Sequence, residues 1–278
     1  MSVARIILLL SIFASGFSSA QELITLIRQD KKNVPVKVYK PNNPCVATAI
    51  ISHGAGGSEN GYEYLAEFLR QQQFLVLVVG HKQSGSEVLN PMILEKGLIP
   101  ALSELITTAS AYQARFMDIS AAKEWASPHC VAPLKVLIGH SMGAATVMLE
   151  AGAENKLGIT GVDGFDAYVA LSPQGVGTIF VEDAWKSIHK PVLLLTGTQD
   201  HELNGTWQTR TDAFASLPVG CKWLGVINGA THMNFAKRGF SRKTENLVTQ
   251  TTLSFLQGVA ANNCVTPKRL KGMRLRVK

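Results

Sequence analysis

The stretch Leu134-Lys135-Val136-Leu137-Ile138, followed at once by Gly139-His140-Ser141-Met142-Gly143 and then Ala144-Ala145-Thr146-Val147-Met148, decides the fold. The first run is short and almost wholly apolar, as in a strand buried on both faces of a sheet, and the last is a small-residue helix. The G-x-S-x-G between them is a nucleophile elbow, a sharp strand-to-helix turn that holds its serine in a strained conformation. The hydroxyl then projects above the sheet, and the flanking glycines leave room for the backbone. Five-residue patterns recur by chance, so the strand before and the helix after carry the assignment of Ser141 as nucleophile over an ordinary turn serine.

Working outward, the strand-then-helix rhythm repeats. Residues 46–52, 74–79, 134–138, 167–171, 192–195 and 223–227 are short apolar runs bounded by Gly, Pro or polar residues. Residues 62–73, 112–126 and 242–257 read as helices between or after them, and 34–39 alternates in period two as an early antiparallel strand. This βαβ succession predicts an α/β fold with a mostly parallel sheet covered by helices on both faces. Residues 80–110, containing Pro91, Gly97 and Pro100, read as a long connection flanking a substrate cleft. Residues 173–190 are too few for a large cap, so the cleft is expected to be open.

A serine hydroxyl needs a base, and the base needs an orienting acid. Residues 191–200 form a buried run ending in Thr196-Gly197-Thr198-Gln199-Asp200, and 226–232 form another ending in a loop with His232. The chain order Ser141, Asp200, His232 suits a triad in which His232 takes the serine proton and Asp200 fixes the imidazole tautomer. Asp163 and Asp166 precede a strand, at the opposite sheet end, and read as turn or cap residues. His201 follows the wrong strand for the base, and His140 reads as a locally packed side chain. An oxyanion needs donors already in place. Ser52-His53-Gly54-Ala55-Gly56-Gly57-Ser58 follows a strand, and the backbone N–H groups of Ala55 and Met142 are the expected pair. The glycine-rich loop lacks the Lys-Ser/Thr of a phosphate-binding loop, no dinucleotide fingerprint appears, and neither metal nor cofactor is expected.

The first twenty residues read as a cleaved signal peptide: Arg5, an apolar core over 6–14, and Ser18-Ser19-Ala20 before Gln21. The apolar core is short for a membrane span. A secreted or periplasmic location follows, with residues 21–265 as the catalytic domain. Four cysteines in an exported chain favour two disulfides. Cys45 and Cys130 both precede strands entering the sheet, whereas Cys221 precedes the last strand and Cys264 follows the last helix. That topology predicts Cys45–Cys130 and Cys221–Cys264, both far from the catalytic edge. The formal charge of +7 is concentrated at the end, where Lys268, Arg269, Lys271, Arg274, Arg276 and Lys278 follow Pro267. Without these and Arg5 the body is neutral. Residues 266–278 therefore read as a disordered basic tail that could touch an anionic surface. No aromatic residue interleaves the charges, and no nucleic-acid partner is expected.

With these residues in view, the chain resembles the α/β hydrolases, specifically the secreted dienelactone-hydrolase-like and platelet-activating-factor-acetylhydrolase-like group. The matching positions are 52–57, His81 with Ser84-Gly85-Ser86, Arg115-Phe116-Met117-Asp118, 139–143, Leu171-Ser172-Pro173, 196–200 and Gly229-Ala230-Thr231-His232. Arg115 and Asp118 resemble a structural pair at a helix start rather than a catalytic one. Dienelactone hydrolases use a cysteine nucleophile where this chain has Ser141. Cutinase-like polyesterases share the layout but carry an aromatic residue and a tryptophan where Ala55 and Gln174 stand here. The resemblance implies a secreted serine hydrolase that cleaves small-molecule carboxylic esters through an acyl-enzyme. Acyl transfer, peptide hydrolysis and a non-catalytic binding role on the same scaffold are the alternatives.

Overall fold

The computed structural model describes residues 21–203, 205–239, 241–264 and 270–278; the proposed signal peptide lies outside them. The chain builds one sheet from β1 (Gln21–Ile27), β2 (Asn33–Tyr39), β3 (Ala47–Ser52), β4 (Phe74–Val79), β5 (Leu134–His140), β6 (Ala167–Leu171), β7 (Val192–Gln199), β8 (Lys222–Thr231) and β9 (Met273–Val277). Their spatial order is β1-β2-β4-β3-β5-β6-β7-β8-β9. The strands from β4 to β8 run parallel to one another, whereas β1, β2 and β9 pair antiparallel at the two edges. The expected α/β-hydrolase architecture is present.

Seven helices accompany the sheet in the described residues: α1 (Glu63–Gln71), α2 (Ser86–Lys96), α3 (Leu98–Ile106), α4 (Ala109–His129), α5 (Met142–Glu150), α6 (Asp212–Ser216) and α7 (Arg242–Ala260). Two apolar cores lie on opposite faces of the sheet. Ile50 and Leu137 point into one with Leu89, Leu105, Tyr112 and α5. Their neighbours Ile51, Val136 and Ile138 point into the other with Leu65, Leu69, Leu247 and Phe255. Alternate residues of one strand thus enter different cores, which is why these runs are apolar without a break.

The chain winds left from β3 to β4 and then right from β5 onward. Such a reversal opens a crevice at the carboxyl ends of the neighbouring strands β3 and β5. Ser141 stands at this crevice with φ 56° and ψ −119°. Both motif glycines have steric reasons to be glycine. A Cβ on Gly139 would strike the Gly143 carbonyl, and one on Gly143 would strike the Ser52 carbonyl.

Both disulfides pair as the topology required, Cys45–Cys130 with Cα atoms 5.8 Å apart and Cys221–Cys264 with Cα atoms 5.5 Å apart. Two expectations are corrected. Residues 80–110 are mainly helical, with α2 and α3 joined at Gly97 (φ 84°). Pro100 falls in the first turn of α3, where its missing N–H costs nothing, whereas Pro91 lies inside α2. The basic tail expected over 266–278 is also not all tail, because 273–277 pairs with β8 as an edge strand. Met273, Leu275 and Val277 pack on the second core. Between them Arg274 lies over the Trp207 ring, while Arg276 and Lys278 lie over Phe214.

Candidate active site

Parallel strands deliver their polar residues to one edge. Ser52 and His53 come off β3, His81 off β4, Ser141 off β5, Ser172 off β6, Asp200 off β7 and His232 off β8. The three residues expected to act together meet there. His232 Nε2 lies 3.0 Å from Ser141 Oγ, and His232 Nδ1 lies 3.0 Å from Asp200 Oδ1. Ser141 and His232 are half-buried, whereas Asp200 is fully buried. An imidazole held in this way can accept a proton from the hydroxyl on one side while its other nitrogen stays fixed to the carboxylate.

Asp200 is closely held. Ser172 Oγ donates to its Oδ1 at 2.9 Å and Thr196 Oγ1 to its Oδ2 at 2.9 Å. The buried Arg210 guanidinium pairs with it, Nε lying 2.9 Å from Oδ1. Burial alone would push the Asp200 carboxyl up. The hydrogen bond from His232, the charge of Arg210 and the Ser172 hydroxyl outweigh burial and hold it below the usual carboxylate value. Arg210 also donates to the carbonyls of Ser172, Pro173, Asp200 and His201. It thereby joins the loop after β6 to the loop after β7.

Sequence reasoning assigned no role to Arg210, Ser172 or Thr196. The hydroxyls stand in quoted motif segments. Arg210, ten residues past Asp200 on a short 3-10 turn, carries no sequence signal. His201 is exposed and contributes only its carbonyl. Asp166 accepts the Lys135 N–H and Asp163 the Tyr168 hydroxyl, both at the far end of the sheet.

The oxyanion loop lies directly against Ser141, for a Cβ on Gly54 would sit 3.2 Å from the Ser141 Cβ. Gly54 N–H donates to Tyr62 Oη, Gly56 N–H to the Ser84 carbonyl and Gly57 N–H to the Gly54 carbonyl. The N–H groups of Ala55 and Met142 find no acceptor among the described residues. Met142 opens α5, so its N–H is one of the unpaired donors of a helix N-terminus. His140 packs locally, as expected. Its Nδ1 lies 2.8 Å from Tyr62 Oη and its Nε2 3.1 Å from the His232 carbonyl. Burial pushes its pKa well below the ordinary value.

A second serine–imidazole–carboxylate line lies beside the first. Ser52 Oγ is 2.9 Å from His81 Nε2, and His81 Nδ1 is 2.9 Å from Asp118 Oδ2. All three are buried, and Arg115 donates to Ser52 Oγ at 3.1 Å. Arg115 and Asp118 sit inside α4 rather than at its start. Ser172 also lies 2.7 Å from His232 Nδ1, but it is fully buried and shares that nitrogen with Asp200. Of the three serine hydroxyls close to an imidazole among the described residues, Ser141 alone belongs to a residue partly open to solvent.

No protein-family model matches the chain. A mouse monoglyceride lipase is 27% identical over 251 residues, covering 88% of this chain and 75% of the lipase. The solved dienelactone hydrolase of Anabaena variabilis superposes with a TM-score of 0.56 at 17% identity, over 85% of this chain and 96% of that one. A cold-adapted esterase from an Arctic intertidal metagenomic library gives 0.60 at 17% identity, over 83% and 93% respectively.

Proposed function

We propose that this chain, an α/β hydrolase by its fold, is an exported serine esterase that acts through an acyl-enzyme. The observation that carries the reading is the accessible Ser141 hydroxyl, 3.0 Å from an imidazole that is fixed in turn by a buried carboxylate. Ser141 Oγ attacks the ester carbonyl carbon while His232 Nε2 takes its proton. The carbonyl π electrons move onto oxygen, where the Ala55 and Met142 N–H groups receive the charge. Collapse breaks the bond to the alcohol, which leaves with the proton from His232. Water then repeats the sequence, releasing the acid and restoring Ser141.

Asp200 keeps the Nδ1–H tautomer in place, and Arg210, Ser172 and Thr196 keep Asp200 ionised and oriented. An apolar acyl chain suits the rim. Val176, Leu203 and Met233, on the loops after β6, β7 and β8, are exposed, as are Leu94, Leu98 and Ile99 on α2 and α3. Export is supported by the leader-like first twenty residues and by two disulfides, which persist in oxidising compartments. Among the described residues no helix is long and apolar enough to cross a membrane.

The decisive experiment is hydrolysis of p-nitrophenyl esters from acetate to laurate, with a monoglyceride and a p-nitroanilide alongside. The esters should turn over and the anilide should not. Ser141→Ala should lower kcat by about 10⁴-fold or more with an unchanged circular dichroism spectrum. Undiminished turnover by that variant ends the proposal.

A further inference from the structure

The residues behind the oxyanion loop contain a charge that the reaction scheme has not used. Arg115 is fully buried, yet it forms no ion pair among the described residues. Asp118, one helical turn away, is already bonded to Arg28 at 2.9 Å and to His81. The Arg115 fork instead grips neutral groups on both sides of the loop. Nη1 donates to the His53 carbonyl at 2.6 Å, and Nε donates to Ser84 Oγ at 2.8 Å. The Ser84 carbonyl in turn receives the Gly56 N–H at 2.9 Å. Nη2 has no partner among the described residues, although it is buried.

A buried cation with no carboxylate in direct contact is costly, and an unbonded N–H adds to that cost. Its position suggests what offsets it. His53 and Gly56 flank Gly54 and Ala55, so the guanidinium backs the loop that lies against Ser141 at Gly54 and carries the Ala55 N–H. The positive charge, offset only at a distance by Asp118, is therefore poorly stabilised in the resting enzyme and favoured when negative charge develops beside it. That is the differential interaction that lowers a barrier rather than tightening substrate binding.

We propose that Arg115 is a positioning residue for the oxyanion hole, aligning the Ala55 N–H and lending its buried charge to the tetrahedral intermediate. The inference rests on the reading of Ser141 as the acylated residue.

Charge and packing can be separated by substitution. Arg115→Gln removes the charge and should lower kcat about 10- to 100-fold with KM within twofold. Inhibition by a trifluoromethyl ketone, which forms an oxyanion on Ser141, should weaken by a similar factor. Arg115→Lys keeps the charge and should retain kcat within about threefold at pH 7, provided the ammonium is protonated.

The ionisable groups facing this position are Tyr112 and Asp118 on α4, Tyr62 before α1, His53 after β3 and His81 after β4. Burial raises both tyrosines and depresses both histidines. Asp118 is pushed up to about 6 by burial, so none of the five titrates between pH 7 and 10. Arg115 itself is pushed down to about 10 by burial. The same desolvation starts from a lower value in a lysine. The lysine variant should therefore gain an alkaline fall in kcat well below the one in the wild type.

An unchanged kcat in Arg115→Gln overturns the inference. So does a lysine variant as slow as the glutamine variant at pH 7 that shows no new alkaline limb. If Arg115→Gln does not fold, the lysine pH profile decides alone. Fluorophosphonate labelling of the wild type keeps the two levels apart. Absence of label on Ser141 sinks the esterase reading, whereas label on Ser141 with indifferent Arg115 variants sinks only this one.

Discussion

Two serine–imidazole–carboxylate lines lie a few ångströms from the same oxyanion loop, and their hydrogen-bond distances are nearly equal. In Ser141–His232–Asp200 both links are 3.0 Å, and in Ser52–His81–Asp118 both are 2.9 Å. What differs is the surroundings. Ser141 is partly open, on an elbow that aims it at the crevice, near two N–H groups with no acceptor among the described residues. Ser52 is sealed, and its oxygen already receives the Arg115 guanidinium. The same three functional groups thus stand at a partly open edge in one place and form a buried polar brace in the other. Hydrogen-bond pattern alone does not identify a nucleophile; access and waiting electrophilic donors do.

The sharpest way to break this contrast is covalent labelling. A fluorophosphonate should modify Ser141 stoichiometrically and leave Ser52 untouched, as read by peptide mass spectrometry. Ser52→Ala should keep kcat within about threefold, while the lost buried hydrogen bonds cost about 1–3 kcal/mol in urea unfolding. Label on Ser52 in the folded protein would reverse the two roles. The carboxylates should separate next. Asp200→Asn is expected to lower kcat about 10⁴-fold by favouring the wrong imidazole tautomer, against less than about tenfold for Asp118→Asn.

The smallest expected effect is on stability and has a definite sign. Burial holds the Asp118 carboxyl up at about 6, in spite of Arg28. The unfolded chain releases the same proton near pH ~4. Between those values the native state holds the extra proton. Its contribution is therefore complete below about pH 4 and lost as pH rises through about 6. Asp118→Asn has no such proton, so the wild type should gain on the variant as pH falls from 7 to 4. A gap that is flat with pH, or that narrows, would show that the brace is not desolvated in this way.

Much of this architecture was readable in the amino-acid order because strand ends are. Ser141, Asp200 and His232 each follow an unbroken apolar run, and parallel strands bring such positions together whatever lies between them. The cysteine pairing followed from the same rule. Arg210 was invisible because its importance lies in contacts to the loops after β6 and β7, and nothing near it in the chain marks that meeting point. The brace was legible only in part: Arg115-Phe116-Met117-Asp118 reads as a structural motif, but its partners Arg28, Ser52, His81 and Ser84 are distant in sequence. Pro91, Gly97 and Pro100 punctuate α2 and α3 and give those helices the sequence appearance of a loop. β9 was hidden by arginines that occupy every second position of a strand.

That last strand has a practical consequence for anyone preparing the protein. A truncation ahead of Leu270 would strip the cover from one edge of β8 and uncover the Trp207 and Phe214 rings, leaving an adhesive border prone to intermolecular pairing. Affinity handles fused after Lys278 should therefore be separated by a flexible spacer, since Lys278 itself still exchanges backbone hydrogen bonds with Lys222.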